Sequence, residues 1–284
     1  MNRTLQDYKR DIKPIWCPGC GDYGILTALQ KTLLEMDIPP EDIVAVSGIG
    51  CSGRLSHFLN SYSIHGTHGR AVPTALGVKA ARPQATVVVV GGDGDGLGIG
   101  GGHIAHVARK NVDMTYLLID NRIYGLTKGQ ASPTTPRGTA TKTTPLGVYE
   151  HEMDVLPVFL AYDVSFVART VSTKVKEMKQ ILGEAIAHRG FSIVYIMSPC
   201  VTYPILKAKE LRERFEPLPE DFDPGENKMG AMELAYSHAP YYTGVFYRTA
   251  KPILDEQLDW EQKQACRRNG GKRYDLAQIL NSFV

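Results

Sequence analysis

Up to Phe215 the chain alternates short apolar runs with stretches of helical periodicity. DIVAVSGIG (42–50), ATVVVVGGDG (85–94), MTYLLIDN (114–121), VSFVARTV (164–171) and FSIVYIMSP (191–199) are rich in β-branched residues and end in glycine or polar residues. Apolar runs without a polar face predict parallel strands covered on both sides. Between them lie amphipathic helices. From Asp22, read as an N-cap, Ile25, Leu26, Leu29, Leu33 and Met36 recur at helical spacing until Pro39-Pro40 stop the run. A second helix is predicted from Thr173 through Val175, Met178, Ile181, Leu182, Ala185 and Ile186 to Gly190, a residue suited to a helix end. Such alternation predicts an α/β fold with a mostly parallel, doubly wound sheet.

Past Phe215 the pattern fades. PLPEDFDPGENK is turn-rich and acidic, and the segment 229–284 carries aromatic stretches such as HAPYYTGVFYRTAKP without clear alternation. The expectation is one domain over 1–214 that holds the chemistry, and an extension over 215–284 for packing or subunit contact. No fixed-period repeat is visible, which argues against solenoids and propellers.

Composition narrows the classes. With 284 residues, 43% of them hydrophobic, the chain can bury a full core without covalent staples. Lysine and arginine (32) nearly cancel aspartate and glutamate (30), so the net charge of +2 gives no reason to expect nucleic acid or a membrane surface as partner. No apolar run approaches the roughly 20 residues that span a bilayer, and the first residues lack the apolar stretch of a signal peptide. A cytoplasmic protein is expected. Five cysteines then argue for metal or redox use rather than a disulfide framework.

Position matters more than count. The strands predicted over 42–47, 85–90, 114–119 and 191–197 empty into Gly48-Ile49-Gly50-Cys51, Gly91-Gly92-Asp93-Gly94-Asp95-Gly96, Asp120-Asn121 and Ser198-Pro199-Cys200. Open α/β sheets bind ligands at that edge, so four segments point to one crevice. GGDGDGLGIGGGH (91–103) has the glycines of a phosphate cradle before a helix N-terminus. Asp93 and Asp95 would repel a bare diphosphate, a conflict that a bridging Mg²⁺ resolves because the ion prefers oxygen ligands. A second oxygen ligand, Asn121, follows on the next strand end; as a lone residue it would suit an Asx turn equally. Trp16-Cys17-Pro18-Gly19-Cys20-Gly21 is a tight Cys-x₂-Cys loop, and Cys51 and Cys200 can complete a four-thiolate set that suits either Zn²⁺ or a [4Fe-4S] cluster. His103 and His106 have helical spacing but no third ligand in view.

Gly-Asp-Gly followed by an asparagine after a strand resembles the signature of the thiamine diphosphate enzymes. Asn121-Arg122-Ile123-Tyr124-Gly125-Leu126-Thr127-Lys128-Gly129-Gln130 resembles the version in 2-oxoacid:ferredoxin oxidoreductases, as do WCPGCG, GIGCSG and SPCVT from their β subunits. Asn121-Arg122 replaces the double asparagine of most thiamine enzymes, a departure shared by that subgroup. The resemblance, running from about Trp16 to Tyr203, implies the diphosphate-binding domain of the thiamine fold. It implies Mg²⁺ held by Asp93, Asn121 and the Ile123 carbonyl, and cofactor contacts at Ile49, Gly50, His68, Gly92, Gly94, Asp95, Gly125, Leu126 and Thr127. A [4Fe-4S] cluster on Cys17, Cys20, Cys51 and Cys200 would accept the electrons that oxidative decarboxylation releases, which zinc cannot do; Cys266 would be an ordinary thiol.

The implied reaction converts a 2-oxoacid, coenzyme A and oxidised ferredoxin to acyl-CoA, CO₂ and reduced ferredoxin, with reversal fixing CO₂. Arg54 matches a cationic position facing substrate and would pair with the distal carboxylate of 2-oxoglutarate, the favoured substrate, with pyruvate or a broad range as the alternative. No pyrimidine-binding domain with its activating glutamate is recognisable, so an α subunit, or α and γ, is expected to supply it within a heterodimer or a dimer of heterodimers. The competing expectations are a non-redox thiamine decarboxylase or carboligase subunit with structural zinc, and a nucleotide-binding regulatory module.

Overall fold

The computed structural model describes residues 3–257 except 226 and 255. Its strands are β1 (Ile43–Ser47), β2 (Tyr62–His65), β3 (Thr86–Gly92), β4 (Met114–Asp120), β5 (Ile123–Tyr124), β6 (Gln130–Ala131), β7 (Phe166–Val171), β8 (Phe191–Met197), β9 (Phe215–Pro217) and β10 (Tyr241–Arg248). Eight of them form one sheet in the order β2-β1-β3-β4-β8-β7-β10-β9, every pairing parallel except that of β7 with β10, so that β10 and β9 run opposite to the other six. The helices are α1 (Asp22–Glu35), α2 (Leu55–Phe58), α3 (Ala71–Ala81), α4 (Gly101–Lys110), α5 (Val155–Ala161), α6 (Val175–Ala187), α7 (Ala208–Glu213) and α8 (Lys228–Ala235).

The apolar runs are buried on both faces because neighbouring residues of one strand serve different cores. Val87 and Val89 of β3 pack with helices α3, α4, α5 and α8, whereas Val88 and Val90 pack with α1 and α6. Every residue of β1, β4, β7 and β8 is buried, and the edge strand β2 is mostly exposed. That explains why β2, with its polar alternation in YSIH, carried no strand signal of the parallel kind.

The five expected strands and both expected helices are present, with two local differences. Gly21, not Asp22, is the N-cap of α1. Asp22 turns its carboxylate toward Cys20 Sγ at 3.5 Å instead of capping the first turn, and is buried there. Thr173 likewise caps nothing, and α6 begins at Val175.

The larger correction concerns the segment after Phe215. Its expected lack of alternation gives way to β9, α8 and β10, which extend the main sheet. A register shift between Val245 and Tyr247 breaks the two-residue period of β10, so its alternation is not readable locally. Phe246 of β10 is fully buried in the α5–α8 core. Cys266 lies outside the described residues. Among the described residues no helix is long and apolar enough to cross a membrane.

If β10 is an integral strand, Phe246→Ala should cost about 3–5 kcal/mol of stability through the cavity it opens. Urea unfolding of the variant against the parent measures this. A loss below about 1 kcal/mol would show that the strand is peripheral.

Candidate functional site

The chain steps outward from β1 to β2, then returns to the other side of β1 with β3, so the order of strands reverses between β1 and β3. Ligands of open α/β sheets sit at such a switch point. The loops that leave β1, β3 and β4 there enclose a cavity of about 110 Å³. Ile49, Gly50, His68, Gly92, Asp93, Gly94, Asp95, Asn121, Ile123, Gly125, Leu126 and Thr127 all line it, together with Cys51, Ser52 and Tyr124.

Asp95 ties its own loop to those that follow β1 and β2. Its Oδ1 accepts from the Ile49 amide (2.9 Å), the Gly69 amide (2.7 Å) and His68 Nδ1 (2.6 Å), while the residue is only 3% exposed. Gly48 makes the approach possible, since a Cβ there would lie 1.9 Å from Asp95 Oδ2. His68 is thus fixed by a carboxylate, just ahead of α3.

Asp93 plays a different part. Buried at the end of β3, it receives Thr134 Oγ1 at 3.2 Å; the same hydroxyl lies 2.8 Å from Asp120 Oδ1. Burial, and then the neighbouring Asp120, raises the Asp93 carboxyl well above its ordinary range. Asp120 is fully buried and also accepts from the Arg122 amide (2.7 Å) and the Tyr195 hydroxyl.

After Asp120 the chain turns sharply. Asn121 Oδ1 accepts the Ile123 amide at 3.1 Å, and Arg122 holds a positive φ of 63°. The Asx-turn reading of Asn121 is therefore realised, yet a carboxamide oxygen has a second lone pair that remains for a cation. Tyr124 closes the turn by donating to the Gly94 carbonyl at 2.8 Å, and its ring occupies the space a Cβ on residue 94 would need, 2.2 Å away.

A second cavity of about 250 Å³ adjoins the first and shares Cys51, Asn121, Gly125 and Leu126 with it. Cys17, Cys20, Cys51 and Cys200 all line it, with Arg54, Lys128 and Tyr203. A Cβ on Gly125 would lie 3.5 Å from Cys200 Sγ and 3.9 Å from Cys51 Sγ. The Tyr203 amide donates to Cys200 Sγ at 3.4 Å, and Cys17 Sγ is 3.4 Å from Thr202 Oγ1. Burial, followed by Asp22, pushes the Cys51 thiol up to about 11 and moves Cys20 in the same direction. Among the described residues no three His, Cys, Asp or Glu side chains gather closely enough to hold a single metal ion. His103 and His106 stand on α4, and among the described residues no third ligand joins them.

Sequence reasoning missed several members. Trp16 donates from Nε1 to the Cys51 carbonyl at 2.7 Å and packs edge-on against Phe58 and Tyr23, which pins the first cysteine loop to the second. Its place beside Cys17 was a usable signal. Thr134 and Tyr195 had none, because their partners are distant in the chain.

Two family models match. One describes the C-terminal TPP-binding domain of thiamine pyrophosphate enzymes and covers residues 48–196. The other describes the C-terminal part of the pyruvate ferredoxin oxidoreductase beta subunit and covers residues 200–263. The chain is 43% identical over 270 residues to 2-oxoacid:ferredoxin oxidoreductase 1, subunit beta, of Aeropyrum pernix, covering 90% of this chain and 85% of the relative. It is 40% identical over 221 residues to the 2-oxoglutarate synthase subunit KorB of Archaeoglobus fulgidus, covering 76% and 82%. A solved 2-oxoglutarate:ferredoxin oxidoreductase from Magnetococcus marinus, with 2-oxoglutarate, coenzyme A and succinyl-CoA bound, superposes with a TM-score of 0.91 at 43% identity, covering 99% of this chain and 96% of that one.

Replacing Asp95 by alanine should release the Ile49 and Gly69 amides. Their hydrogen exchange should speed up about a hundredfold, the effect of losing hydrogen bonds to a charged acceptor worth about 3 kcal/mol. Unchanged protection at both amides would show that Asp95 does not hold the loops.

Proposed function

The chain belongs to the β subunits of the 2-oxoacid:ferredoxin oxidoreductases, and on that premise we propose that it serves a 2-oxoglutarate:ferredoxin oxidoreductase, forming succinyl-CoA and CO₂ by oxidative decarboxylation. As a β subunit it works with α-type partner subunits. The observation that carries the finer reading is the common wall of the two cavities, which sets the diphosphate crevice directly beside four cysteines.

Thiamine diphosphate, bound by the thiamine domain over 48–196, supplies carbanion chemistry. Asp93, Asn121 and the carbonyl of Ile123 would hold the Mg²⁺ that joins it to the protein; all three line the crevice. The buried pair Asp93 and Asp120 favours this, because two carboxylates sharing one hydroxyl need a cation or a proton between them. Backbone at Gly50, Gly92 and Gly94 presents no side chain to the diphosphate, and Asp95 fixes the loops on which they ride.

Cys17, Cys20, Cys51 and Cys200 would ligate a [4Fe-4S] cluster. The chemistry of the donor set fits: four thiols line one cavity, and the Tyr203 amide is aimed at one sulfur, a contact that tunes cluster potential. A single zinc ion at about 2.3 Å from each sulfur would draw the four to one point. Their spread around about 250 Å³ favours a cluster. Electrons would leave one at a time toward ferredoxin, and an external supply of reduced ferredoxin would drive the reverse carboxylation.

Arg54 and Lys128 line the cysteine cavity and give it positive charge. That supports a dicarboxylic 2-oxoacid, its distal carboxylate drawn to Arg54. The activating glutamate and most of the coenzyme A site would come from the α-type partner. Residues 1–214 then carry the chemistry, and the segment from 215 extends the sheet edge for subunit contact.

The complex purified with its partner under anaerobic conditions tests the redox reading. It should be brown, with about four irons per β chain, and Cys51→Ser should lose most of that iron. Colourless protein with stoichiometric zinc would overturn it. Arg54→Ala should lower kcat/KM for 2-oxoglutarate about tenfold or more relative to pyruvate, the loss expected for one charge-assisted contact. An unchanged ratio would remove Arg54 from substrate selection.

A further inference from the structure

A third cavity, about 150 Å³, is lined from the turn after β4 and from β7, β8, β9 and β10. Arg122, Thr134, Arg169, Tyr195 and Tyr241 line its wall. Nothing in the reaction as derived uses it.

Its character comes from two guanidinium groups. Arg169 is 5% exposed, donates from Nε to the Tyr242 carbonyl at 2.6 Å, and sits over the rings of Phe246 (5.1 Å), Tyr241 (5.6 Å) and Phe215 (5.9 Å). Its buried Nη2 has no hydrogen-bond partner among the described residues, and neither has the buried Nε of Arg122. Burying a guanidinium with an unpaired donor is costly, and such a charge is ordinarily met by an anion. Tyrosine faces and one carbonyl offset part of that cost for Arg169 but supply no negative charge.

Asp120 accepts from Thr134, the Tyr195 hydroxyl and the Arg122 amide, not from either guanidinium. Of the two carboxylates in the cavity lining, Glu152 accepts the Arg137 amide at 3.2 Å, and Asp154 stands 3.7 Å from His238 Nε2. Asp120 and Glu152 are near enough to act on the charge of Arg122, but among the described residues neither Arg122 nor Arg169 forms a salt bridge, and Arg169 has no carboxylate acting on it. The cavity thus joins two guanidinium groups, each with an unpartnered buried donor, to tyrosine walls.

We propose that this cavity binds a small oxoanion, a carboxylate or phosphate group held between Arg122 and Arg169. Guanidinium donors in pairs match the geometry of both groups. The site is linked to the crevice by the chain itself: Arg122 lies between Asn121 and Ile123, and Thr134 touches both Asp93 and Asp120. Occupancy would therefore steady the turn that presents Asn121.

The test uses the native complex saturated with thiamine diphosphate and Mg²⁺, so that the diphosphate crevice is already filled. Calorimetric titration with inorganic phosphate and, separately, with acetate is run at constant ionic strength against chloride. Saturable binding of one anion per β chain is expected from at least one of the two, and the better ligand tells phosphate from carboxylate. Arg169→Met and Arg122→Met should each weaken it about tenfold or more, the loss of one charge-assisted hydrogen bond. Arg122 is only partly buried, so its variant serves if Arg169→Met fails to fold. No saturable binding of either anion would overturn the proposal, including the case in which an acidic side chain of the partner already fills the cavity. Binding that survives Arg122→Met undiminished would overturn it as well.

Discussion

Two buried carboxylates at the ends of neighbouring parallel strands set the terms for everything around them. Asp93 closes β3 and Asp120 closes β4, and both meet the hydroxyl of Thr134. One hydroxyl proton cannot serve two carboxylates at once. Without a cation, burial and then Asp120 hold Asp93 toward its protonated form. Tyr195 and the Arg122 amide absorb the charge of Asp120, and that engagement forces the backbone at Arg122 into the left-handed region. The turn that exposes Asn121 and the Ile123 carbonyl follows directly from that requirement. Asp93 alone of the pair lines the crevice, so a cation arriving there meets one buried carboxylate already opposed by another.

The framework that imposes this arrangement is the sheet. Parallel strands buried on both faces place their carboxyl ends at one edge, and the alternation of Val87 to Val90 between two cores leaves no freedom to slip by one residue. The C-terminal strand serves the same end from the other side. By pairing with β7, β10 brings Phe246 and Tyr241 onto Arg169.

What the sequence disclosed follows the range of the interactions involved. The central strands were legible because each is one uninterrupted apolar run, and the crevice was legible because glycines and carboxylates mark the strand ends locally. The cysteine set was legible through the spacing of Cys17 and Cys20 and the strand-end positions of Cys51 and Cys200, and all four line one cavity. Asp120 was placed just past its strand end but given no role, since nothing local shows that it shares a hydroxyl with Asp93. Thr134 and Tyr195 depend on tertiary contacts 14 and 75 residues away from Asp120 and left no pattern. Asp95 was expected at the cofactor, and it does line the crevice, but its Oδ1 is turned to the amides of other loops, and its buried Oδ2 has no hydrogen-bond partner among the described residues. The strand β10 was hidden by its own bulge and by aromatic residues that occupy both of its faces.

The shared wall between crevice and cysteine cavity bears on how the two halves of the chemistry would be joined. Cys51, Asn121, Gly125 and Leu126 belong to both. Gly125 presents only backbone at this point of the wall, where a Cβ would stand in ordinary van der Waals contact with Cys200 Sγ at 3.5 Å. Trp16 adds rigidity by anchoring the first cysteine loop to the carbonyl of Cys51. A cluster held there would lie against the cofactor with a peptide segment between them, close enough for electrons to pass without a mobile carrier. Arg54 and Lys128 line the cysteine cavity, where their positive charge would favour an incoming dicarboxylate and stabilise reduced states on the cysteine side. Substrate selection and electron acceptance would then draw on the same local field.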